Sequence, residues 1–211
     1  MNDRSKFIYD ELNHLFPNAK CELNHESVFQ LVCAVSLSAQ TTDERVNMVT
    51  PDLFAKYPDA LSMSQAELKD VERLIKSIGL YHNKAIHLIK MSQQLIDNFD
   101  GVVPHTMEEL VSLDGVGRKT ANVVLSVGFD VPAIAVDTHV ARVSKRLGLA
   151  KKDDDVLEIE QKLMKKFPKY AWNHLHHLLI FFGRYLCKAR QPQCEECPFQ
   201  AICKEYKHIK A

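Results

Sequence analysis

The stretch Leu113-Asp-Gly-Val-Gly-Arg-Lys-Thr-Ala121 decides how this 211-residue chain is to be read. A short helix over about Thr106 to Leu113 runs into Gly115 and Gly117, and an apolar-periodic helix carrying Ala121, Val124, Leu125 and Gly128 leaves them. Glycines two apart let the backbone take positive φ and let an anion approach the amides that open the second helix. Gly-x-Gly alone fits a tight helix-turn-helix corner better than a phosphate seat. Leu113 before it and Arg118-Lys119 after it add apolar anchoring and cations, which a nucleic-acid backbone contact requires.

Outward from this turn the pattern stays helical. Phe7, Ile8, Leu12, Leu15 and Phe16 recur at helical spacing behind Asn2 and Asp3, and Val28, Phe29, Leu31, Val32 and Val35 follow Ser27. Thr41-Thr-Asp-Glu44, Ser64-Gln-Ala-Glu67 and Thr106-Met-Glu-Glu109 have the capping-box form that starts a helix. Gly79, Gly101 and Gly148 fall where helices should stop. The count is about ten helices. The one strand-like stretch, Val131-Pro-Ala-Ile-Ala-Val136, holds a proline and is short, so it reads as an extended linker. Seven Gly and eight Pro in 211 residues are few, which favours long helices over the turn-rich sandwich or barrel. The chain is expected to be all-α.

Composition excludes two other classes. Apolar residues are 46% and charged residues 26%, too apolar for a disordered chain. No apolar run is longer than five residues, the length of Leu178-Leu-Ile-Phe-Phe182, far short of the roughly 20 that span a membrane. Met1-Asn-Asp-Arg-Ser-Lys6 leads into no apolar export segment, so a cytoplasmic protein with no membrane partner is expected. Net charge is zero, but residues 1–100 carry 10 Lys/Arg against 14 Asp/Glu and residues 101–211 carry 17 against 13. The surplus of cations lies in the half that begins near the glycine turn, as a polyanion-binding face would have it.

Four thiols, Cys187, Cys194, Cys197 and Cys203, cluster near the end of the chain, whereas Cys21 and Cys33 are isolated. In a reducing compartment such a cluster reads as a metal site before it reads as disulfides. The stretch Gln191-Pro-Gln-Cys-Glu-Glu-Cys-Pro198 cannot be regular helix and needs a staple, which a metal supplies. Loops of six, two and five residues match neither the paired Cys-x2-Cys knuckles of zinc ribbons nor the bacterial ferredoxin run. The residues alone therefore give a four-thiolate site, zinc or iron-sulfur. His174, His176 and His177 sit in an apolar helical stretch and read as packed or hydrogen-bonded residues, not as further ligands.

Three further residues carry chemistry by position. Lys119 falls in the first turn of the helix leaving the glycines, where the helix dipole and Arg118 disfavour a protonated ammonium and favour a nucleophilic amine. Asp137 precedes Thr138-His-Val-Ala-Arg-Val and reads as an N-cap, a role that keeps its carboxylate ionised. Positions 139, 142 and 146 place His, Arg and Arg on one helical face, opposite Val140, Val143 and Leu147. Gln40 ends the apolar helix that starts near Ser27 and by itself is an exposed amide.

Leu113–Ala121 is similar to the helix-hairpin-helix of the DNA-repair glycosylase superfamily. With Ser38-Ala-Gln-Thr-Thr-Asp43, Ala135-Val-Asp-Thr-His139 and the Cys-x6-Cys-x2-Cys-x5-Cys tail, in family order over nearly the whole length, the chain resembles the endonuclease III family. The resemblance implies a two-lobed all-α helix-hairpin-helix DNA glycosylase fold with a carboxyl-terminal iron-sulfur cluster loop. A helical-barrel domain would span 22–132 and a cluster-bearing domain 1–21 with 133–211.

It further implies base-excision repair by a bifunctional glycosylase and abasic-site lyase. The enzyme would remove oxidised pyrimidines from duplex DNA and cleave 3′ to the site by β-elimination through a lysine Schiff base. Lys119 matches the nucleophile and Asp137 the catalytic aspartate. Gln40 and Leu80, the leucine of Ile78-Gly-Leu-Tyr81, match the residues that fill the gap when a base is swung out. Gly115, Gly117, Arg118, His139, Arg142 and Arg146 are expected to contact DNA, and the four clustered cysteines to hold a 4Fe-4S cluster. The partner implied is double-stranded DNA containing damaged bases or abasic sites, met by a monomer at the nucleoid. Monofunctional relatives such as the adenine glycosylases lack the lysine, and a non-catalytic adaptor with a zinc knuckle would need neither Lys119 nor Asp137. Where the family usually has proline this chain has Asp114, so the turn is less pre-set and Asp114→Pro is expected to be neutral or to improve binding.

Overall fold

The computed structural model describes residues 1–206. The last positions of the expected carboxyl-terminal domain, 207–211, lie outside the described residues. In chain order the α-helices are α1 (Asp3–Leu15), α2 (Val28–Leu37), α3 (Asp43–Lys56), α4 (Ala60–Ser64), α5 (Leu68–Leu74), α6 (Tyr81–Phe99), α7 (Met107–Ser112), α8 (Arg118–Val123), α9 (Thr138–Arg146), α10 (Val156–Lys166) and α11 (Trp172–Phe181). Single π-helical turns, Val124–Gly128 and Phe182–Leu186, extend α8 and α11. No strand occurs among the described residues, and Val131–Val136 is an extended linker. Among those residues no helix is long and apolar enough to cross a membrane.

Caps set most of the helix starts. Side chains of Asn2, Ser27, Thr106, Asp137 and Asp155 each accept the amide three residues on, and Asp155 forms a full capping box with Glu158. None of the three expected boxes forms in full: Thr106 accepts the Glu109 amide, but the Glu109 carboxylate accepts the Thr106 hydroxyl at 2.6 Å instead of its backbone amide. The cap of α3 is Thr42 and not Thr41, because the Thr41 hydroxyl is engaged by the Lys84 ammonium at 2.9 Å. Ser64 ends α4 instead of starting a helix. Its Oγ donates back to the Leu61 carbonyl at 2.8 Å, the local competition that serine offers inside a helix. Glu67 then opens α5 with no side-chain cap bond.

The chain divides into two compact units, Glu22–Asp130 and Met1–Cys21 with Val131–Ala211. In the first, the long helix α6 packs against α4, α5 and α2, while α8 and its π turn lie against α2 and α7. Fully buried Leu31, Leu37, Leu53, Met63 and Ile75 belong to its core. The second unit gathers α1, α9, α10 and α11 around Ile8, Leu12, Val140, Ile159, Leu163 and Leu178. Phe199, from the irregular segment between Cys197 and Cys203, is fully buried in this core. Its ring stands edge-on to Phe182 at 5.3 Å and to Phe7 at 5.8 Å. The segment thus has an apolar anchor in addition to its thiols. Phe199→Ala removes that anchor and should cost about 3–5 kcal/mol of unfolding free energy in a denaturant titration. A loss below about 1 kcal/mol would mean that the thiols alone hold the segment.

Candidate functional site

The hairpin is built as the glycine pair suggests, with one difference. Gly115 has φ +75°, the left-handed region, but Gly117 has φ −90° and ψ 173°, a conformation open to any residue. Gly115 also permits a close approach, since a Cβ there would meet the Cβ of His87 at 2.9 Å. Around Gly117 such an atom would meet nothing within 4 Å. Gly117 therefore keeps the mouth of α8 open instead of shaping the turn.

Asp114 is not a loose charge beside the turn. Its carboxylate pairs with His87 Nδ1, and its amide donates to Gln94 Oε1 at 2.6 Å. The Gln94 amide group in turn donates to the Ser112 carbonyl at 3.2 Å. Proline at 114 would delete the donating amide, so the substitution removes a hydrogen bond and does more than stiffen the turn. His87 and Gln94 share one face of α6 with Lys84, and sequence reading passes over all three. The available signal was their spacing, since 84, 87, 91 and 94 follow the helical repeat across a helix that also carries apolar Met91.

Lys119 occupies the second position of α8, and its side chain is exposed. Its ammonium has no hydrogen-bond or ion-pair partner among the described residues. Arg118 beside it is likewise exposed. Gln40 stands beyond the end of α2, which stops at Leu37, in an exposed turn with φ +56°. Leu80 precedes α6 with φ +60° and is 59% exposed. The two residues expected to enter a DNA gap are two of the five non-glycine residues with positive φ among the described residues, and both face solvent.

In the other unit, Asp137 is the N-cap of α9, its Oδ1 accepting the Val140 amide at 2.8 Å. The second carboxylate oxygen makes no hydrogen bond among the described residues. The cationic face of α9 is half-buried and has partners within its own unit. Arg142 donates to the Gly183 carbonyl at 2.8 Å and to the Cys187 carbonyl at 3.2 Å. Arg146 donates to Lys188 O at 2.8 Å and to Cys187 Sγ at 3.3 Å. His139 lies against the π turn, where a Cβ on Gly183 would meet its Cβ at 2.8 Å. The π turn and the segment after it leave carbonyls that Arg142 and Arg146 satisfy.

All four clustered cysteines line one cavity, with Phe182, Leu186 and Arg146 among its other walls. Burial pushes the Cys197 thiol up to about 11, and the Phe199 amide opposes that shift. A thiol so placed gives up its proton to a metal and not to neutral water. Among the described residues no three His, Cys, Asp or Glu side chains converge closely enough to hold a single ion. Four thiolates are the ligand set of an iron-sulfur cluster. The donor set and the apolar walls therefore fit an iron-sulfur cluster. The histidines of α11 are packed residues: His176 is fully buried, and burial, then His174 and Arg184, push His177 down to about 4. Cys33 is fully buried and Cys21 lies outside the cavity.

The family model described as HhH-GPD superfamily base excision DNA repair protein matches residues 33–169, and the iron-sulfur binding domain of endonuclease III matches residues 187–203. Hairpin, lysine and thiol cavity thus define the class of helix-hairpin-helix base-excision repair proteins. Endonuclease III of Bacillus subtilis (strain 168) is 54% identical over 200 residues, covering 95% of this chain and 91% of that protein. A solved non-covalent endonuclease III-DNA complex superposes with a TM-score of 0.96 at 51% identity, over 100% of this chain and 99% of that one. A trapped endonuclease III-DNA covalent intermediate, with an estranged adenine, gives 0.95 at 52% identity over 100% of both. The chain belongs to the endonuclease III family, base-excision repair enzymes that couple DNA glycosylase and abasic-site lyase activities and carry a 4Fe-4S cluster.

Two outcomes test this geometry. Gly115→Ala, strained by φ +75° and by His87, should cost about 2 kcal/mol of stability, whereas Gly117→Ala should stay within about 0.5 kcal/mol and still weaken all duplexes by about tenfold. Selective loss for one lesion would show that the loop reads bases. Purified protein should be yellow-brown with iron and acid-labile sulfide near four per chain, unchanged in Cys21→Ser and Cys33→Ala. A colourless protein holding one zinc would contradict the cavity reading.

Proposed function

We propose that this chain binds duplex DNA containing damaged bases or abasic sites, releases oxidised pyrimidines, and cleaves the strand 3′ to the site. The observation that carries the reading is Lys119, an exposed amine without a partner among the described residues, two residues after Gly117, which leaves the helix mouth open. In this reading the amine adds to the sugar C1′ and the C1′–N bond breaks, so the base leaves with the electron pair and takes up a proton. Ring opening gives an iminium between C1′ and Nζ. The iminium acidifies the C2′ proton, whose loss expels the 3′ phosphate oxygen. Water then hydrolyses the iminium and returns the lysine.

Asp137 is the carboxylate that offsets positive charge on the sugar as the base departs. Its N-cap bond holds one oxygen and leaves the other for this work. Gln40 and Leu80 fill the gap left by the extruded nucleotide, and Gly115, Gly117 and Arg118 seat a phosphate. His139, Arg142 and Arg146 contact DNA in this reading. Arg142 and Arg146 also hold carbonyls of 183–189, beside Arg184, Lys188 and Arg190, the cations we assign to phosphates. Cys187, Cys194, Cys197 and Cys203 ligate the cluster, which when bound ties this irregular segment down. The hairpin-bearing domain is taken as 22–132 and the cluster-bearing domain as 1–21 with 133–211, acting as a monomer in the cytoplasm at the nucleoid.

Borohydride present during reaction with abasic-site or thymine-glycol DNA should reduce the iminium to a stable covalent adduct. Lys119→Ala should abolish trapping and strand cleavage while leaving lesion binding largely intact. Asp137→Asn keeps an N-cap and should fold, yet base release should fall by about 100-fold or more. Trapping on a preformed abasic site should fall less, because the ring-opened aldehyde needs no counter-charge. Equal loss of both would give Asp137 a role in proton transfer, and an adduct formed by Lys119→Ala would overturn the assignment of the nucleophile.

A further inference from the structure

Lys84, in the first turn of α6, is 8% exposed and carries a buried ammonium with three acceptors: Leu37 O at 2.8 Å, Ala39 O at 2.7 Å and Thr41 Oγ1 at 2.9 Å. Three donors meet three acceptors, and none of the acceptors is an anion. Burying a lysine without a carboxylate partner is costly, and desolvation lowers its pKa. A residue kept only to fill this space would be apolar. What the ammonium grips is specific. Leu37 is the last residue of α2, whose terminal carbonyls lack helical partners, and Ala39 and Thr41 flank Gln40 on both sides.

The other end of the same residue reaches Leu80. The Lys84 amide donates to the Leu80 carbonyl at 3.0 Å, closing the turn that holds Leu80 at φ +60°. Left-handed backbone costs a non-glycine residue roughly 1–2 kcal/mol and persists only where the surroundings over-determine it. Gln40 and Leu80 are two such residues, and Lys84 is bonded to the backbone beside the first and to the backbone of the second.

We propose that Lys84 is a positioning residue for base extrusion, holding Gln40 and Leu80 at a fixed separation so that they enter the duplex together. The proposal rests on the gap-filling reading of those two residues. It concerns the protein before DNA arrives: the pair is set in advance by one buried cation. Lys84 never reaches the nucleic acid, so its loss acts only through the two turns.

The test compares single-turnover base release from two duplexes with the same thymine glycol, one opposite adenine and one opposite an abasic analogue that leaves no orphaned base. Lys84→Met keeps the length of the side chain and removes its donors. Thr41→Val removes a single acceptor and serves where Lys84→Met does not fold. Cluster absorbance and unfolding midpoint are recorded for each. Both variants should lose rate on the adenine-paired lesion, by about tenfold for Lys84→Met and about threefold for Thr41→Val, with less than about twofold change opposite the abasic analogue. Gln40→Ala and Leu80→Ala should show the same selective loss. Equal loss on both duplexes, or no loss, overturns the proposal. If Gln40→Ala and Leu80→Ala shift the ratio and the other two do not, the proposal alone falls. If none of the four shifts it, the gap-filling reading falls as well.

Discussion

A side chain at position 115 would collide with His87, and that exclusion connects the hairpin to one face of α6. Along this face Lys84, His87, Met91 and Gln94 recur at helical spacing, just after Leu80 at the amino end. His87 pairs with the Asp114 carboxylate, Gln94 accepts the Asp114 amide, and Lys84 grips the turn around Gln40. All of these contacts are made from one continuous helix of nineteen residues. The turns that face solvent around it therefore inherit their spacing from one element. Enzymes that must hold a distorted duplex gain from such pre-arrangement, because order already present in the free protein need not be created on binding.

The second unit solves a different problem. Between Cys187 and Cys203 the chain forms only a 3₁₀ turn, and regular backbone bonding cannot hold it. Three things do: thiols around a cavity, Phe199 buried in the core, and guanidinium groups of α9 on the carbonyls of 183–189. Arg146 joins two of these by bonding both a cysteine sulfur and the neighbouring backbone. Cations that a helical projection presents on one face of α9 also hold a loop that carries other charges. Neutral overall composition is consistent with such a protein, in which the position of a few cations matters more than their number.

The all-α class, the hairpin, the Asp137 cap and the thiol cluster were legible because each is local, resting on a period, a cap or a spacing within a few residues. What was not legible is long-range. Nothing in Thr41-Thr-Asp-Glu44 says that a lysine 43 residues on takes the first hydroxyl and moves the cap to Thr42. The α9 stripe of His139, Arg142 and Arg146 is real as a pattern, but a pattern shows which face is polar and not what the face meets. Gly117 was read with Gly115 as a φ-permissive pair, although only Gly115 takes positive φ. Position 114 reads locally as a turn less pre-set than proline would make it, whereas His87 and Gln94 hold Asp114 from another helix.

The central claim is that α6 holds the hairpin in place before DNA is met. Amide exchange of Asp114 in the free protein tests it most directly, since that N–H is the donor to Gln94 Oε1 at 2.6 Å. The account predicts a protected amide in the native chain and about tenfold faster exchange in Gln94→Ala, with protection of Leu88 and Leu95 in α6 unchanged. An Asp114 amide that exchanges at the unprotected rate in the native chain, or one indifferent to Gln94→Ala, would contradict it.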